Sequence, residues 1–584
     1  MSGYFKLLKN WCDKLVSYQI TEIKDKNFYG GILCPACSMI HGRIGDAVYP
    51  FTLMYDKTGD KKYLDAAKMA VDWSEHNVRR KNGGYYNDKC NGWLGISAFS
   101  AEAIGDALFY HGKCLDSDTF DKWSGIFLRL TDFVYEYFEN PKFKPNINYF
   151  AGEAALMALA YRISGNKKYL DKAHEKYLYV KGFFTEQGLL SGEGPSGRTE
   201  QKKCIYADLG YNVEESLPLL IKYAHLSGDD KALEYVAEKF KVHIEFMLPD
   251  GAWDNSWGTR ANKWTYWGSR TSDGACSGLC HIAHLDGMFA EAAQRSFELL
   301  EKCSEDGNLY GGLMYREYGE DACNHHAFCH AKAIAAMIDS GFECTKRVPL
   351  PRDLEYGIKY FPDIHVNLIS QGSIRATVSD CDAVAYDGAA VTGGTVSMLW
   401  SEKAGVVLAA VMARYNMTEP RNMQLSRNDD DMPCCALRIN CHGFESINDK
   451  FAAVTTQYDG KNVKIHVSGT LRDTSFDGHT GYEFTYIFGC DDTFTVTAKA
   501  NDNAVLIIPV ICYAKDRVYE ENGAFIIEKE NSTVIAEGAG GKITAKKGLS
   551  FRNFTVIGGF ASIPLEMALE KDKEVTVKIR ITDK

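Results

Sequence analysis

The amino-acid sequence predicts an α+β multidomain protein, with an N-terminal (α/α) toroid followed by a C-terminal antiparallel β-sandwich. Helical hairpins recur through the first part of the chain, and short alternating strands fill the second part. A chain of 584 residues also exceeds one ordinary hydrophobic core, which favours two domains. We place these domains at residues 1–347 and 348–584.

The helical part carries one pattern three times, at residues 54–70, 160–176 and 223–239. In each copy an apolar helix ends at a glycine suited to a left-handed C-cap, and a residue able to cap the next helix follows. A fainter copy occupies residues 284–300. Because the intervals are irregular and aromatic-rich inserts lie between the hairpins, a toroid with long loops on one face is favoured over a regular solenoid.

The pattern changes near Val348, where Pro349 and Pro351 interrupt the helical periodicity. From about residue 358, short runs of alternating residues are separated by Gly, Asn and Asp, as in antiparallel sheets. No Gly/Ser-rich linker separates the two parts. We therefore expect the domains to pack together with a cleft at their junction.

Charge and hydropathy argue against two classes of partner. The net charge of −11 does not suit general nucleic-acid binding, and no apolar run is long enough to cross a membrane. The N-terminus lacks the apolar core of a signal peptide. We expect a cytoplasmic protein, or a secreted or periplasmic one if a signal has been trimmed, that is a monomer or a homodimer.

Cysteine usage and motif searches limit the cofactors. In a cytoplasm the 18 cysteines are expected to be reduced thiols. Cys34 and Cys37 form a lone CxxC pair, and the second pair of a zinc ribbon is absent, so this pair alone is weak support for a metal. Neither a nucleotide-binding loop nor a serine-nucleophile motif is found, and no organic cofactor is expected.

Residues 253–274 interleave aromatic rings with cations in one short polar segment. Flat rings stack on sugars, and guanidinium groups bind carboxylates or sulfates. The segment therefore predicts a cleft for an anionic, ring-shaped polymer. The alternative interpretation is an aromatic loop that plugs the top of a helical core.

A glycine-rich loop at residues 192–198, which ends at Arg198, precedes Tyr211 at the head of an amphipathic helix. A tyrosine there is a candidate general acid or base if nearby cations lower its pKa. The alternative is a structural phenol at a helix start.

Histidines and asparagines at two other helix starts are further candidates. His326 and His330 share a helix face, but the glutamate of an HExxH zinc motif is missing, which favours proton transfer by a histidine over a metal pair. Packing and capping histidines are the alternative. Asn148 precedes another helix, where it is either an N-cap or a donor to a substrate carboxylate. His41, Arg43 and Asp46 form a weaker set of the same kind.

The motifs at residues 192–195, 208–218, 324–333 and 392–400 resemble those of the uronate-specific polysaccharide lyases, most closely the glycosaminoglycan lyases of polysaccharide lyase family 35, with heparinase II/III-like architecture. The resemblance implies β-elimination at a 4-linked uronic acid of hyaluronan, chondroitin, heparan or their oligosaccharides. In that scheme Asn148 neutralises the carboxylate, while Tyr211 and His326 share the acid and base roles. Which of three neighbouring histidines acts stays open.

The same resemblance assigns substrate-binding roles. The tryptophans would stack on sugar rings and the cations would bind sulfates or uronates, with the remaining histidines beside the substrate: Trp257, Trp264, Trp267, Arg198, Arg260, Lys263, Arg270, His325 and His330. Relatives of this architecture also imply a structural divalent metal ion near the domain junction. His365, Asp380 and Asp382 are candidate ligands, although an expected histidine is missing from residues 388–391.

Two other classes of function compete. A glycoside hydrolase on a similar toroid needs two carboxylic acids across the scissile bond, and Asp254, Asp273, Glu193 and Glu214 are available. A non-catalytic carbohydrate-binding protein would explain the aromatic residues and the repeats. It gives no role to an Asn, Tyr and His set spread over separate hairpins.

Overall fold

A computed structural model describes residues 2–88, 91–269, 271–385, 391–410, 435–545, 551–552 and 560–584. Its α-helices are α1 Gly3–Ser17, α2 Val48–Thr58, α3 Lys61–Asn77, α4 Ser97–His111, α5 Ser117–Tyr137, α6 Ile147–Ser164, α7 Lys167–Lys181, α8 Leu209–Tyr211, α9 Leu217–Ser227, α10 Asp230–Ile244, α11 Cys276–Ile282, α12 Gly287–Lys302 and α13 Asn324–Asp339. A 3-10 helix at Gly42–Ala47 and a π-helix at Asn212–Ser216 complete the elements used below.

The strands form separate antiparallel sheets. A small sheet pairs β1 Ser304–Glu305 with β2 Asn308–Leu309. A five-stranded sheet in chain order contains β3 Gly357–Phe361, β4 Val366–Gln371, β5 Ile374–Ser379, β6 Thr395–Ser401 and β7 Gly405–Ala409. The large sheet contains β8 Arg438–Cys441, β9 Phe444–Glu445, β10 Ala453–Tyr458, β11 Asn462–Arg472, β12 Gly478–Gly489, β13 Thr493–Ala500, β14 Ala504–Cys512, β15 Arg517–Glu521, β16 Ala524–Glu528, β17 Ser532–Ala539, β18 Thr544–Ala545, β19 Phe551–Arg552, β20 Ala561–Leu569 and β21 Glu574–Asp583. The predicted order, helices followed by antiparallel sheets, is confirmed.

The three predicted helix–turn–helix units are confirmed in detail. α2, α6 and α9 end at Gly59, Gly165 and Gly228, whose φ angles of 70°, 68° and 73° lie in the left-handed region that favours glycine. The next residue in each case, an Asp or Asn, caps the following helix through its side chain. The fainter copy differs, because α12 is capped by Asp286 and its glycine is the first helical residue.

The five-stranded sheet is buried on both faces and joins the two parts of the molecule. Leu368 and Met398 face the core that the helices form, whereas Ile369 and Leu399 face the core of the large sheet. Successive strand residues point to opposite faces, so β4, β5 and β6 are buried along their whole length, including polar residues such as Arg375. The sheet therefore forms a layer between the helices and the large sheet.

Buried polar contacts also cross this junction. Arg352 donates to Asp254 at 3.1 Å, and both side chains have no exposed surface. The hydroxyls of Ser256 and Ser397 lie 2.8 Å apart. The aromatic-rich segment is thus fixed against the five-stranded sheet. None of the described helices has the length and apolar character that a membrane span requires.

Candidate active site

Tyr211 lies at the end of α8, where the helix passes directly into the π-helix. Asp208 caps this turn by accepting the backbone N–H of Tyr211 at 3.0 Å. The side chain is 3% exposed, and its hydroxyl contacts Oγ1 of Thr271. The guanidinium of Arg260 lies 3.6 Å from the ring centroid. A cation beside the ring stabilises negative charge that develops on the phenol.

Asn148, the second residue of α6, directs its amide at buried acids. The preceding cap position is Asn146, which makes no capping hydrogen bond through its side chain. Nδ2 of Asn148 donates to Oε2 of Glu215 at 2.5 Å, and its backbone N–H donates to Oε1 of Glu193 at 3.4 Å. The residue is 1% exposed. Its side chain therefore belongs to a polar cluster rather than to a helix cap.

The two glutamates are poised to keep a proton near neutral pH. Burial, with repulsion from Asp273, raises the pKa of Glu215 to about 8 against the attraction of Arg43. Burial also raises the pKa of Glu193 to about 7, although Arg260 donates to its Oε2 at 2.9 Å and opposes the change. A carboxylic acid that stays neutral can donate a hydrogen bond to a substrate carboxylate.

Trp267 packs edge-on against both histidines of the predicted face of α13. Its ring centroid lies 5.1 Å from that of His326 and 4.3 Å from that of His330. Nδ1 of His330 donates to the carbonyl oxygen of His326 at 3.0 Å, and its Nε2 lies 3.7 Å from Oε2 of Glu214. Both histidines are buried. His330 is thus fixed from two sides, and the indole ring limits where the His326 imidazole can lie.

A buried network of charges joins three elements around this cluster. Arg43, in the Gly42–Ala47 turn, donates to Asp46 at 2.7 Å, to Asp273 at 2.9 Å and to the carbonyl oxygen of Thr271 at 3.0 Å. Lys332 of α13 donates to the other oxygen of Asp273 at 2.8 Å. These contacts fix the threonine that touches the phenol relative to the helix that carries the histidines.

Contacts link two of the predicted catalytic residues, because Glu193 accepts from the backbone N–H of Asn148 and from the guanidinium that covers Tyr211. His326 packs against Trp267, in the same loop as the threonine that touches the phenol. We call Asn148, Tyr211 and His326 the candidate trio. Their exposed fractions are 1%, 3% and 0%. A polymer reaches these groups only when the residues that cover them move. The arrangement combines an amide, a neutral acid, a phenol beside a guanidinium and an imidazole, which suits proton abstraction next to a carboxylate.

Comparison with known families decides the class. Residues 8–353 match the ulvan lyase N-terminal domain, and residues 358–582 match the ulvan lyase C-terminal domain. The chain belongs to the ulvan lyase family. A curated relative from Formosa agariphila, described as a broad-specificity ulvan lyase, is 35% identical over 590 residues, which covers 97% of this chain and 91% of the relative.

Solved structures of other lyases share the fold of this ulvan lyase family member. A heparinase III with methylated lysines has a TM-score of 0.55 at 10% identity, covering 99% of this chain and 84% of that chain. Chondroitin AC lyase from Streptomyces coelicolor A3 has a TM-score of 0.55 at 12% identity, covering 100% and 80%. The predicted polysaccharide lyase with heparinase-like architecture is confirmed.

Family membership also separates the competing functions. The protein is a polysaccharide lyase, so the glycoside hydrolase and the non-catalytic binding protein are set aside. The acids proposed for a hydrolase have other partners: Asp254 pairs with Arg352, and Glu214 accepts from the backbone N–H of Ser269 at 3.0 Å.

The structure places the predicted tryptophans of this family member in its interior. Trp257, Trp264 and Trp267 are 1%, 0% and 2% exposed and belong to the helical core. Their faces are covered by protein, as the candidate trio is, so a stacking role requires the same movement of covering residues and stays a prediction. The packing agrees with the alternative interpretation of a loop that plugs the helical core.

The predicted cations occupy different environments. Arg260 lies inside the site, where it contacts Glu193 and Tyr211. Lys263 is half-buried, 6.0 Å from the same phenol ring. Arg198 is exposed and donates to Asp363 at 2.7 Å, which ties its loop to the sheet domain. Arg270 lies outside the described residues.

The residues suggested for a divalent ion at the junction do not fit one. Asp380 forms an ion pair with Lys202, and Asp382 accepts from Thr199 Oγ1 at 2.6 Å and from the backbone N–H of Lys202 at 3.1 Å. The lysine supplies the positive charge that an ion would bring. Among the described residues, ligand atoms of His365, Asp380 and Asp382 do not form a group close enough to hold a metal.

Sequence reasoning missed Glu215 and Thr271, which contact Asn148 and Tyr211 directly. One signal was present: Glu214 and Glu215 are adjacent at the start of an otherwise apolar helix, and both are buried. Successive helix residues point about 100° apart, so on a mostly apolar helix one of two adjacent acids is readily directed into the protein. Nothing in the sequence marks Thr271 as a site residue, because its contact with Tyr211 depends on how the loop folds.

Proposed function

We propose that this lyase cleaves ulvan by β-elimination at a 4-linked uronic acid. The single observation that carries the mechanism is the buried juxtaposition of Tyr211 under Arg260 with the hydrogen-bonded pair Asn148 and Glu215. The substrate follows from the matched family and from the name of the relative from Formosa agariphila. This replaces the glycosaminoglycans that the sequence alone predicted.

The amide and the acid support the costly first step. Loss of the C5 proton places further negative charge beside a carboxylate, so that carboxylate must be neutralised. Asn148 donates hydrogen bonds through its amide, and protonated Glu215 donates one more. Both groups are fixed and shielded from water, which strengthens their interaction with the developing charge.

Tyr211 and His326 complete the reaction. One group accepts the C5 proton, the electron pair forms the C4–C5 double bond, and the C4–O4 bond breaks. The other group protonates the departing O4, so the products are a 4,5-unsaturated uronate and a new hydroxyl. Arg260 favours Tyr211 as the residue that carries negative charge during this sequence.

A panel of polysaccharides tests the substrate and the reaction together. Purified protein is incubated with ulvan, hyaluronan, chondroitin and heparan, and ultraviolet absorbance and new reducing ends are followed in parallel. We expect the absorbance of the unsaturated uronate to rise with ulvan faster than with the other polymers. Reducing ends without absorbance would contradict elimination, and absorbance with glycosaminoglycans alone would contradict the substrate.

We also propose the finer architecture, in which the helical hairpins close into a toroid over residues 1–347 and the two main sheets form a sandwich over residues 348–584. The packing of the first helix against the last ones supports closure, because the rings of Tyr4 and Phe297 lie 4.6 Å apart and Trp11 donates to Ser304 at 3.0 Å. A crystal structure tests this arrangement: an open helical array would contradict it.

A further inference from the structure

Three cysteines and a histidine converge beside the start of α13. Sγ of Cys37 lies 3.3 Å from Sγ of Cys34 and 3.2 Å from Nε2 of His41. Cys323, 289 residues after Cys34, places its Sγ 3.7 Å from that of Cys34 and 3.6 Å from Nε2 of His41. All four ligand atoms lie within 4.8 Å of one another.

The cluster is enclosed by protein. Cys34, Cys323 and His41 are 0%, 1% and 3% exposed, and Cys37 is half-buried. Tyr315 packs against two of the cysteines. The sulfur atoms are too far apart for disulfide bonds, which are about 2.05 Å long. The four side chains thus surround one point that is shielded from solvent.

These separations match the edges of a zinc tetrahedron. With Zn–S bonds of about 2.3 Å and Zn–N bonds of about 2.0 Å, a tetrahedral ion keeps its sulfur ligands about 3.8 Å apart and sulfur and nitrogen about 3.5 Å apart. Three thiolates and one imidazole form a Cys₃His set with no open position, which is typical of structural zinc. Soft thiolate ligands also disfavour magnesium and calcium.

We propose that Cys34, Cys37, His41 and Cys323 bind one structural Zn²⁺ ion. The CxxC pair lacks a second pair nearby in sequence, and the fold supplies the missing ligands from His41 and from the loop before α13. The other close groups of described residues suit a metal less well. Asp46, Asp273 and Cys329 already face Arg43 and Lys332, and Cys441, His479 and Asp502 provide only three ligands, one of them exposed.

The proposed ion lies where it would hold parts of the active site together without touching the substrate. The His41 ring lies 5.4 Å from that of His325, and Asn324 donates to the carbonyl oxygen of Leu33 at 2.9 Å. The ion would clamp the loop before Arg43 onto the first turn of α13, which carries His326. It therefore positions two parts of the site that are far apart in sequence.

Metal content of the intact protein tests the proposal directly. Protein purified without chelator, then dialysed against zinc and against buffer, is expected to retain about one zinc per chain by elemental mass spectrometry. Cys37→Ser and Cys323→Ser should each lose this zinc. Cys344→Ser is the matched control, because this half-buried cysteine lies outside the cluster and should leave the content unchanged.

A spectroscopic measurement on the wild-type protein tests the proposal without any variant, so it holds even if the cysteine variants fail to fold. Replacement of zinc by Co²⁺ should give thiolate-to-cobalt charge-transfer bands and the intense visible bands of tetrahedral cobalt, and chelation of the metal should lower the melting temperature. A zinc content near zero, a Cys34–Cys37 disulfide detected by peptide mapping, or octahedral cobalt bands would overturn the proposal.

Discussion

At the residue scale, the proposed chemistry depends on acids that the fold keeps away from water. Glu215 and Glu193 lie beside Asn148 and Arg260, and burial raises the pKa of each glutamate. Groups with such shifts are enriched at functional sites, where burial and neighbouring charges tune proton transfer. The same burial makes these acids sensitive to pH in a direction that can be stated.

Glu215→Gln should flatten the alkaline side of the pH profile of elimination. In the wild type, the proton that helps to neutralise the substrate carboxylate is lost as the pH rises through about 8, so activity falls there. Glutamine keeps a hydrogen-bond donor at every pH. The measurement is kcat/KM on ulvan from about pH 6 to about pH 10 for both proteins, and identical profiles would show that Glu215 does not titrate in the reaction.

Glu215→Gln should also change how the stability of the folded protein depends on pH. The folded chain holds the Glu215 proton up to about pH 8, whereas the ordinary pKa is 4.5, so the native state binds more protons between these values. Stability is therefore lost as the pH rises from about 4.5 to about 8. The difference in melting temperature between Glu215→Gln and wild type should increase across this window, and a constant difference would contradict the shift.

His326→Gln should lower kcat on ulvan by about 100-fold, the loss expected when a proton-transfer group is removed. The substitution keeps a polar side chain of similar size against Trp267, so the melting temperature should change little. His466→Gln is the control, since His466 is a half-buried histidine of the sheet domain near Thr485. Full activity of His326→Gln would assign proton transfer to another residue.

The sequence predicted Asn148, Tyr211 and His326 because each stands near a helix start within a polar motif, and their catalytic roles stay predictions. It could not predict which rings face a ligand. Whether Trp264 lies in the core or in a cleft depends on the path of the loop. The amino-acid composition of the loop is the same in both cases, so it cannot distinguish them.

At the element scale, the π-helix and the aromatic-rich loop position the site together. The π-helix at Asn212–Ser216 carries Glu214 and Glu215, and the loop wraps over the first of them. π-helical turns are rare and often occur at functional sites. Helical periodicity predicted the hairpins well because their caps are local signals, while a π-turn leaves no comparable pattern.

Gly268→Ala tests how tightly the loop and the π-helix fit. A Cβ atom at this position would lie 2.0 Å from Oε1 of Glu214, so the acid or the loop must move. Misplacement of a site by about 1 Å can cost about 100-fold in rate, and we expect a loss of that size. Gly125→Ala is the control, because its added methyl group meets no atom within 4 Å and alanine favours helix α5. Equal activity of both variants would contradict the tight fit.

At the scale of the whole molecule, the five-stranded sheet and the ion pair of Asp254 with Arg352 join the two domains. The sequence predicted that the two domains pack together, because no Gly/Ser-rich linker separates them. The buried charges that cross the interface had no signal in the sequence, because an Arg 98 residues from its partner resembles any other surface Arg. The same holds for Cys323, which the fold brings to the CxxC pair.

Arg352→Met should destabilise the protein strongly. Removal of one partner leaves Asp254 buried with an uncompensated charge, a loss of about 3–5 kcal/mol. Arg580→Met is the control, because the side chains of its ion pair with Glu537 are 42% and 47% exposed, and such surface pairs are worth about 0–1 kcal/mol. Scanning calorimetry compares the melting temperatures, and equal shifts in the two variants would mean that the interface does not depend on this pair.

The most direct test of the account is the behaviour of Tyr211→Phe on ulvan. Turnover, measured by the absorbance of the unsaturated uronate, should fall by at least about 100-fold while calorimetric binding of ulvan oligosaccharides is retained. Tyr63→Phe, which removes a hydroxyl bound to Asp13 away from the site, should behave as wild type. Elimination by Tyr211→Phe at the wild-type rate would contradict the proposal that this phenol carries the reaction.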